Sequence, residues 1–481
     1  MLLRSRIRSP VAGLVLAVTF SAGCAVPLGP GFRLSSRQME VAEIAAAPAR
    51  VHIRVTDVLE NIGDRNLAYL EVNLPAGAPF GRVNLSVRVD GRDVAAASLA
   101  SDSAAPVRVP FDPPWPPKQV RTVVFDYDCA PELAERSVVA ATSDGFHLGD
   151  PNAFPGWLPP SGLFAKAELG IRKEQFDFVV PREFLVLAPG TERRSTRQDG
   201  TTLHRFSISP SDSSVFVIAG RYQQQRFRTQ YGDVIFWTSV PLDAQAAKTA
   251  AERLAATNAT FSRVFGPASK KSQPVRIVET SADLAPSYES DTGISALSFP
   301  GGVLLDRHAF AQGIAAEPVL ELAEYELART WFGWRARPRP EEESLMGRGA
   351  GLFAVVLAAE ERGGIPARER EIARLLAAYD RASAPSGQIS LAADSARDRR
   401  LPGAFKNALF WAALEDLAGR QNFEHAVRRM VQARAGLDLS VDDLRAAIEW
   451  ATGRDFYDTF RMWLDRPGIP ENFRTRYPSA P

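Results

Sequence analysis

The chain has 481 residues, 57 Lys+Arg against 56 Asp+Glu for a formal charge of +1, and is 45% hydrophobic and 23% charged. That usage excludes a disordered or fibrous protein, and at roughly 100–200 residues per domain the length allows two or three domains. Near-neutrality argues against a nucleic-acid partner, while two cysteines and five histidines are few for a disulfide framework or a metal site.

Residues 1–23 read as an export signal. Arg4, Arg6 and Arg8 form a basic start, and residues 11–20 are an apolar run too short to span a bilayer. Ser21, Ala22 and Gly23 are the small residues that signal peptidases accept, and Cys24 follows at once. "SAGC" resembles a bacterial lipobox, which makes Cys24 the candidate for lipidation and the first residue of the mature chain. Ser21 stands where the lipobox has leucine, so ordinary secretion past an incidental cysteine is the alternative. Removing three arginines takes the net charge from +1 to −2. The expected location is the bacterial cell envelope, on the membrane through the lipid, or otherwise periplasmic or secreted.

Residues 24–241 are predicted to form an antiparallel β domain. From about residue 50, segments such as "RVHIRVTDVL", "VRTVVFDYD", "FDFVVP", "LHRFSIS" and "DVIFWTS" alternate apolar and polar residues or run apolar between Gly, Pro, Asp and Ser clusters. Residues 242–481 change to the helical period. "DAQAAKTAAERLAATNATFSRVFG" predicts a long helix closed by Gly266 and Pro267, with strands at "PVRIVET" and "GGVLLD". Helices are predicted over 318–334, 344–362, 367–384, 404–417, 423–435 and 441–451, the last with an N-cap signal in "SVDD". The fold class is α+β, an N-terminal antiparallel β domain followed by a mostly helical domain.

The stretch "YELARTWFG" has the spacing of a zincin helix, H-E-x-x-H, in which two histidines one turn apart bind zinc and the glutamate is the general base. It resembles the gluzincin M1 peptidases, the membrane alanyl aminopeptidase and leukotriene-hydrolase family, whose helix continues H-E-x-x-H-x-W-F-G. Glu326, Trp331, Phe332 and Gly333 are in register, whereas Tyr325 and Arg329 occupy the histidine positions. The family's third ligand, a glutamate, falls after 18 intervening residues on Arg348. "GISALSFPGG" resembles the family's G-x-M-E-N-x-G strand, with Ser298 and Phe299 at the Glu and Asn positions. "AFKNA" resembles its Y-x-K-G-A segment, with Ala404 at the transition-state tyrosine and Lys406 retained.

The resemblance implies a thermolysin-like second domain and a degenerate member of the family. Tyrosine is a poor zinc ligand at neutral pH, and arginine cannot deprotonate and brings its own charge. Hence the expectation is no cofactor, zinc entering only if the ligand reading is wrong, and no working peptidase: Glu326 would have no activated water to deprotonate. The arginines would either replace the zinc charge structurally, paired with Glu326, or bind a carboxylate. The implied role is binding a peptide or protein partner in the interdomain cleft, or an envelope scaffold. The alternatives are an active zinc metallopeptidase with remade ligands and another hydrolase in the same cleft. Elsewhere, "GRGAGL" reads as a closely packed helix start, Glu341–Glu343 as a solvated helix entry, and Trp331, Trp334, Trp411, Trp450 and Trp463 as core.

Overall fold

The computed structural model describes residues 31–478 apart from 47–48, 73–79, 96–106, 135–138, 143, 149–172, 209–215, 269–272, 281–293 and 384–400. The signal segment and Cys24 lie outside the described residues.

The first domain is built on an eight-stranded sheet. In spatial order its strands are Thr191–Thr196, Thr201–Ile208, Lys173–Pro181, Phe32–Ala46, Ala49–Asn61, Val120–Ala134, Phe80–Val89 and Arg92–Asp93. A four-stranded sheet packs on it, so that Met39, Val41, Ile53, Val55, Phe125 and Phe178 from the first meet Phe146, Val217 and Ala219 from the second in one core. Alternation sends these residues inward and leaves the polar ones on the other face.

The Phe32–Ala46 strand carries no clean alternation: a bulge between Leu34 and Ser36 shifts its buried side from Phe32 and Leu34 to Arg37, Met39 and Val41, and the first of these is charged. Arg37 donates from Nε and Nη2 to the two carboxylate oxygens of Asp57, each at 2.8 Å, and lies 4.0 Å from Glu174. All three side chains are buried on adjacent strands, where the charges compensate one another. This strand runs parallel to Lys173–Pro181, which corrects the wholly antiparallel expectation at that pair. More than a hundred residues separate the two strands, so no hairpin constrains their direction.

The second domain opens on a five-stranded sheet ordered Gln223–Thr229, Gly232–Thr238, Val275–Glu279, Gly302–Leu305 and Ala296–Phe299. The first two strands had been assigned to the β domain. Their pairing moves the junction from residue 241 to near residue 222, because Val234 and Phe236 pack under the Ala244–Phe265 helix. That helix starts on Asp243, whose side chain accepts from Ala246 N at 2.8 Å, and ends at Gly266 with φ 83°. The helices predicted over 344–362 and 367–384 are both present within Ala350–Ser383, separated at Gly363 and Gly364, where the backbone leaves the helical conformation (Gly364 φ 65°, ψ −164°), and the first is entered through a π-helical turn, Glu343–Gly349. Ser440 and Asp443 form the capping box of Val441–Thr452. On that helix Trp450 is 49% exposed, contrary to the core expectation, and Arg429 stacks over its ring at 3.9 Å.

One buried carboxylate sets the pose of the Glu317–Ala328 helix. Glu324 receives Arg253 Nε at 2.9 Å and Nη2 at 3.0 Å, Thr257 Oγ1 at 2.8 Å and Arg362 Nη1 at 2.6 Å. The donors come from the Ala244–Phe265 and Ala350–Ser383 helices, so three helices are fixed through one side chain. The residues that follow Glu324 are thereby held in rotation.

Candidate functional site

Tyr325 and Glu326 lie on the last turn of the Glu317–Ala328 helix, and Arg329 closes it. The chain then turns through Thr330–Arg335, leaving the helical backbone at Phe332 and Gly333, and is anchored by fully buried Trp331 and Phe332; Trp331 Nε1 donates to the Gly266 carbonyl at 2.7 Å. Aromatic packing therefore fixes the position of Arg329 from one side as Glu324 does from the other.

Arg329 is 2% exposed. Its Nη2 donates to Glu343 Oε1 at 2.8 Å, its Nε lies 3.8 Å from Glu326 Oε2, and its guanidinium carbon is 6.0 Å from the Tyr325 ring centre. Burial pushes the guanidinium down, but Glu343, Tyr325 and Glu326 outweigh it and hold Arg329 well above the usual arginine value. The cation is permanent, and two carboxylates neutralise it.

Glu343 was expected in a solvated acidic run; its side chain is instead 21% exposed and turned onto Arg329. Gly347 makes this possible. A Cβ at that position would lie 2.6 Å from the Glu343 carboxylate carbon, so a side chain there would displace the carboxylate. The neighbouring glycines serve similar purposes. A Cβ on Gly349 would meet Asn407 Cβ at 2.5 Å, and one on Gly351 would meet the Tyr325 ring at 2.7 Å. "GRGAGL" is thus a close-packed helix entry, as its lack of a preceding strand suggested. Arg348 is carried half-buried on the π-helical turn that also supplies Glu343.

The positions matched to the family's substrate strand lie in the interior. Ser298 is buried, its carbonyl and Oγ accepting from Trp334 Nε1 at 3.0 and 3.3 Å. The Phe299 ring packs on Phe216 at 5.2 Å, and Phe216 on Trp334 at 5.8 Å. With Leu187 and Ile218 of the first domain and Val278 and Leu304 of the second, they form a small core across the domain seam. Ala404 is buried and offers a methyl group, so no hydroxyl donor stands there. Lys406 is fully buried and donates to the Arg466 carbonyl at 2.7 Å.

No family model matches this chain, and no curated protein matches it. Solved structures do. An M1 zinc metallopeptidase from Deinococcus radiodurans superposes with a TM-score of 0.64 at 16% identity, covering 92% of this chain and 96% of the other. The Legionella pneumophila aminopeptidase A, in complex with aspartic acid, gives a TM-score of 0.65 at 14% identity over 91% of this chain and 50% of the other. The chain therefore has the two-domain M1 metallopeptidase fold, a β-sheet domain followed by a helical one.

This comparison overturns the expectation of no cofactor: the Deinococcus radiodurans neighbour is a zinc metallopeptidase, which points to zinc. The residues at the anticipated ligand positions do not fit that ion. Tyr325, Arg329 and Arg348 supply one phenol and two guanidiniums, neither of the latter able to lend a lone pair. Among the described residues no group of three His, Cys, Asp or Glu side chains stands within reach of one ion. Glu343, which the sequence reading missed as a site residue, is a carboxylate directed at a cation rather than at a metal. A glycine four residues after it was the available signal.

Proposed function

We propose that this chain is an exported M1-fold pseudopeptidase, held at the cell envelope through a lipid on Cys24, that works by binding a peptide or protein partner at the cleft between its domains. One observation carries the reading: the Arg329 guanidinium, buried and paired with Glu343 and Glu326, occupies the end of the zincin-type helix. A general base needs a lone pair free for water, and Glu326 faces a fixed cation instead. The saturation of Arg329 by two carboxylates also favours its structural role over the capture of a ligand carboxylate at that point.

A second reading, a zinc metallopeptidase with remade ligands, is favoured by the zinc enzymes among the structural neighbours. One experiment separates the two. The full chain is assayed against aminoacyl-p-nitroanilides with added zinc and with chelator. The pseudopeptidase reading expects no turnover in either condition; zinc-dependent turnover abolished by chelator establishes the second reading instead.

A further inference from the structure

The face of the five-stranded sheet turned away from the Ala244–Phe265 helix carries a cation, Arg276, that no carboxylate of the described residues is bonded to. Strand register places Arg226, Ile235 and Arg276 in one row, and Gln224, Trp237 and Val278 in the next. Residues paired across a sheet project to the same face. The first row ends at Gly302, over which the Phe299 ring lies, its Cε2 2.7 Å from where a Cβ would stand, so the neighbour of Arg276 on that side is apolar and offers it no acceptor.

Arg226 is committed to Asp233, donating from Nε at 2.9 Å. Arg276 has no such partner among the described residues: burial and the like charge of Arg226 both push its guanidinium below the ordinary arginine value, and no carboxylate opposes them. Trp237 is 6% exposed, and its Nε1 has no acceptor among the described residues. A buried donor left without an acceptor keeps none of the hydrogen bonding it had in water, and a charged one loses more.

These donors line the same cavity of about 220 Å³, which Leu185, Leu187 and Phe206 of the β domain also wall. It is smaller than the roughly 300–1,000 Å³ of sites for drug-sized ligands. Glu192 and Arg194 line it as well, 3.8 Å apart, and the hydrogen bond with His204 holds the Glu192 carboxyl below its usual value, so it stays ionised. Glu192 and Arg194 offset one another, which leaves Arg276 as the charge to be met among the described lining residues and matches a monoanion.

We infer that this cavity binds a small monocarboxylate with an aliphatic tail, its carboxylate on Arg276 and Trp237 Nε1 and its tail against Leu185 and Leu187. The guanidinium and the indole N–H gain an acceptor that none of the described residues supplies, and the apolar wall gains a hydrocarbon in place of water. The site is independent of Arg329 and of whether the chain hydrolyses peptides. Two sources offer this chemistry, a free acid and the carboxy terminus of a peptide, and the test separates them.

The full chain is titrated calorimetrically with isocaproate, with isocaproamide, and with Ala-Ala-Leu bearing a free or an amidated carboxy terminus. The acid form of at least one pair binds about ten-fold or more tightly than its amide. Arg276→Gln weakens that ligand about ten-fold and Trp237→Phe about three-fold, each with an unchanged melting temperature. Binding by isocaproate alone assigns a free acid, and binding by the free-ended tripeptide assigns a peptide terminus; either supports the site. Equal affinity for acid and amide, or no binding of either carboxylate at about 10 mM, overturns it. Should Arg276→Gln fail to fold, the acid–amide comparison on the wild-type chain decides alone.

Discussion

Arg329 and Glu343 meet at 2.8 Å, the guanidinium at the end of one helix and the carboxylate on the π-helical turn that leads into the next. The pair joins the two elements that the zincin pattern aligns, and it does so with a bond between side chains. Removing Arg329 leaves Glu343 and Glu326 close together without their cation. Arg329→Ala is expected to lower stability by about 3–5 kcal/mol, read by urea denaturation. An unchanged denaturation midpoint would contradict the structural role given to this arginine.

Gly347 is required by the Glu343 carboxylate rather than by its backbone. Gly347→Ala is expected to cost about 1–3 kcal/mol by driving the carboxylate off Arg329. In a Glu343→Ala background the same substitution meets no carboxylate, and most of that cost disappears. A double-mutant cycle of melting temperatures measures the coupling, and strict additivity would refute the account.

Glu324 answers two guanidiniums and a hydroxyl from two neighbouring helices. Glu324→Leu leaves Arg253 and Arg362 short of their shared carboxylate, with an expected loss of about 3–5 kcal/mol. Because the helix it anchors carries Tyr325 and Glu326, near-ultraviolet circular dichroism of Trp331 and its neighbours should fall with it.

The ligand chemistry at the zincin positions can be restored by three substitutions. Tyr325→His, Arg329→His and Arg348→Glu together replace a phenol and two cations with two imidazoles and a carboxylate. The triple variant is expected to bind zinc about a hundred-fold or more tightly than the parent chain, measured by competition with a chromogenic chelator. Equal zinc affinity in parent and variant would show that these positions do not lie around a common point.

Acid should weaken the edge of the large sheet. The His204 hydrogen bond, at 2.7 Å, holds the Glu192 carboxyl below its ordinary value of 4.5. A carboxyl depressed in the fold adds stability that is present above its unfolded pKa. That stability is lost as pH falls from about 4.5 through the lower folded value. Glu192→Gln should therefore flatten the acid limb of a stability–pH curve below about pH 4.5 and leave its neutral part with the same slope.

The sequence by itself determined the order of the domains and the elements around the site. Alternation and its switch to the helical period are local properties of the chain, and so are the Trp331-Phe332-Gly333 run and the Asp243 and Ser440 caps. Glu326, Arg329 and Arg348 were legible as candidate site residues through the resemblance of their helix and its spacing to the M1 pattern. The tertiary structure decided what they face. Glu343 reads as one of three consecutive acids until folding brings it against Arg329, and Arg37 interrupts its strand until Asp57 and Glu174 arrive from neighbouring strands. Nor could periodicity say which sheet would take residues 223–238. The interior position of Phe299 depends likewise on Phe216, which lies more than eighty residues earlier in the chain. Charges and rings that are satisfied across space leave no trace in a local pattern, because their partners are set by the packing of distant segments.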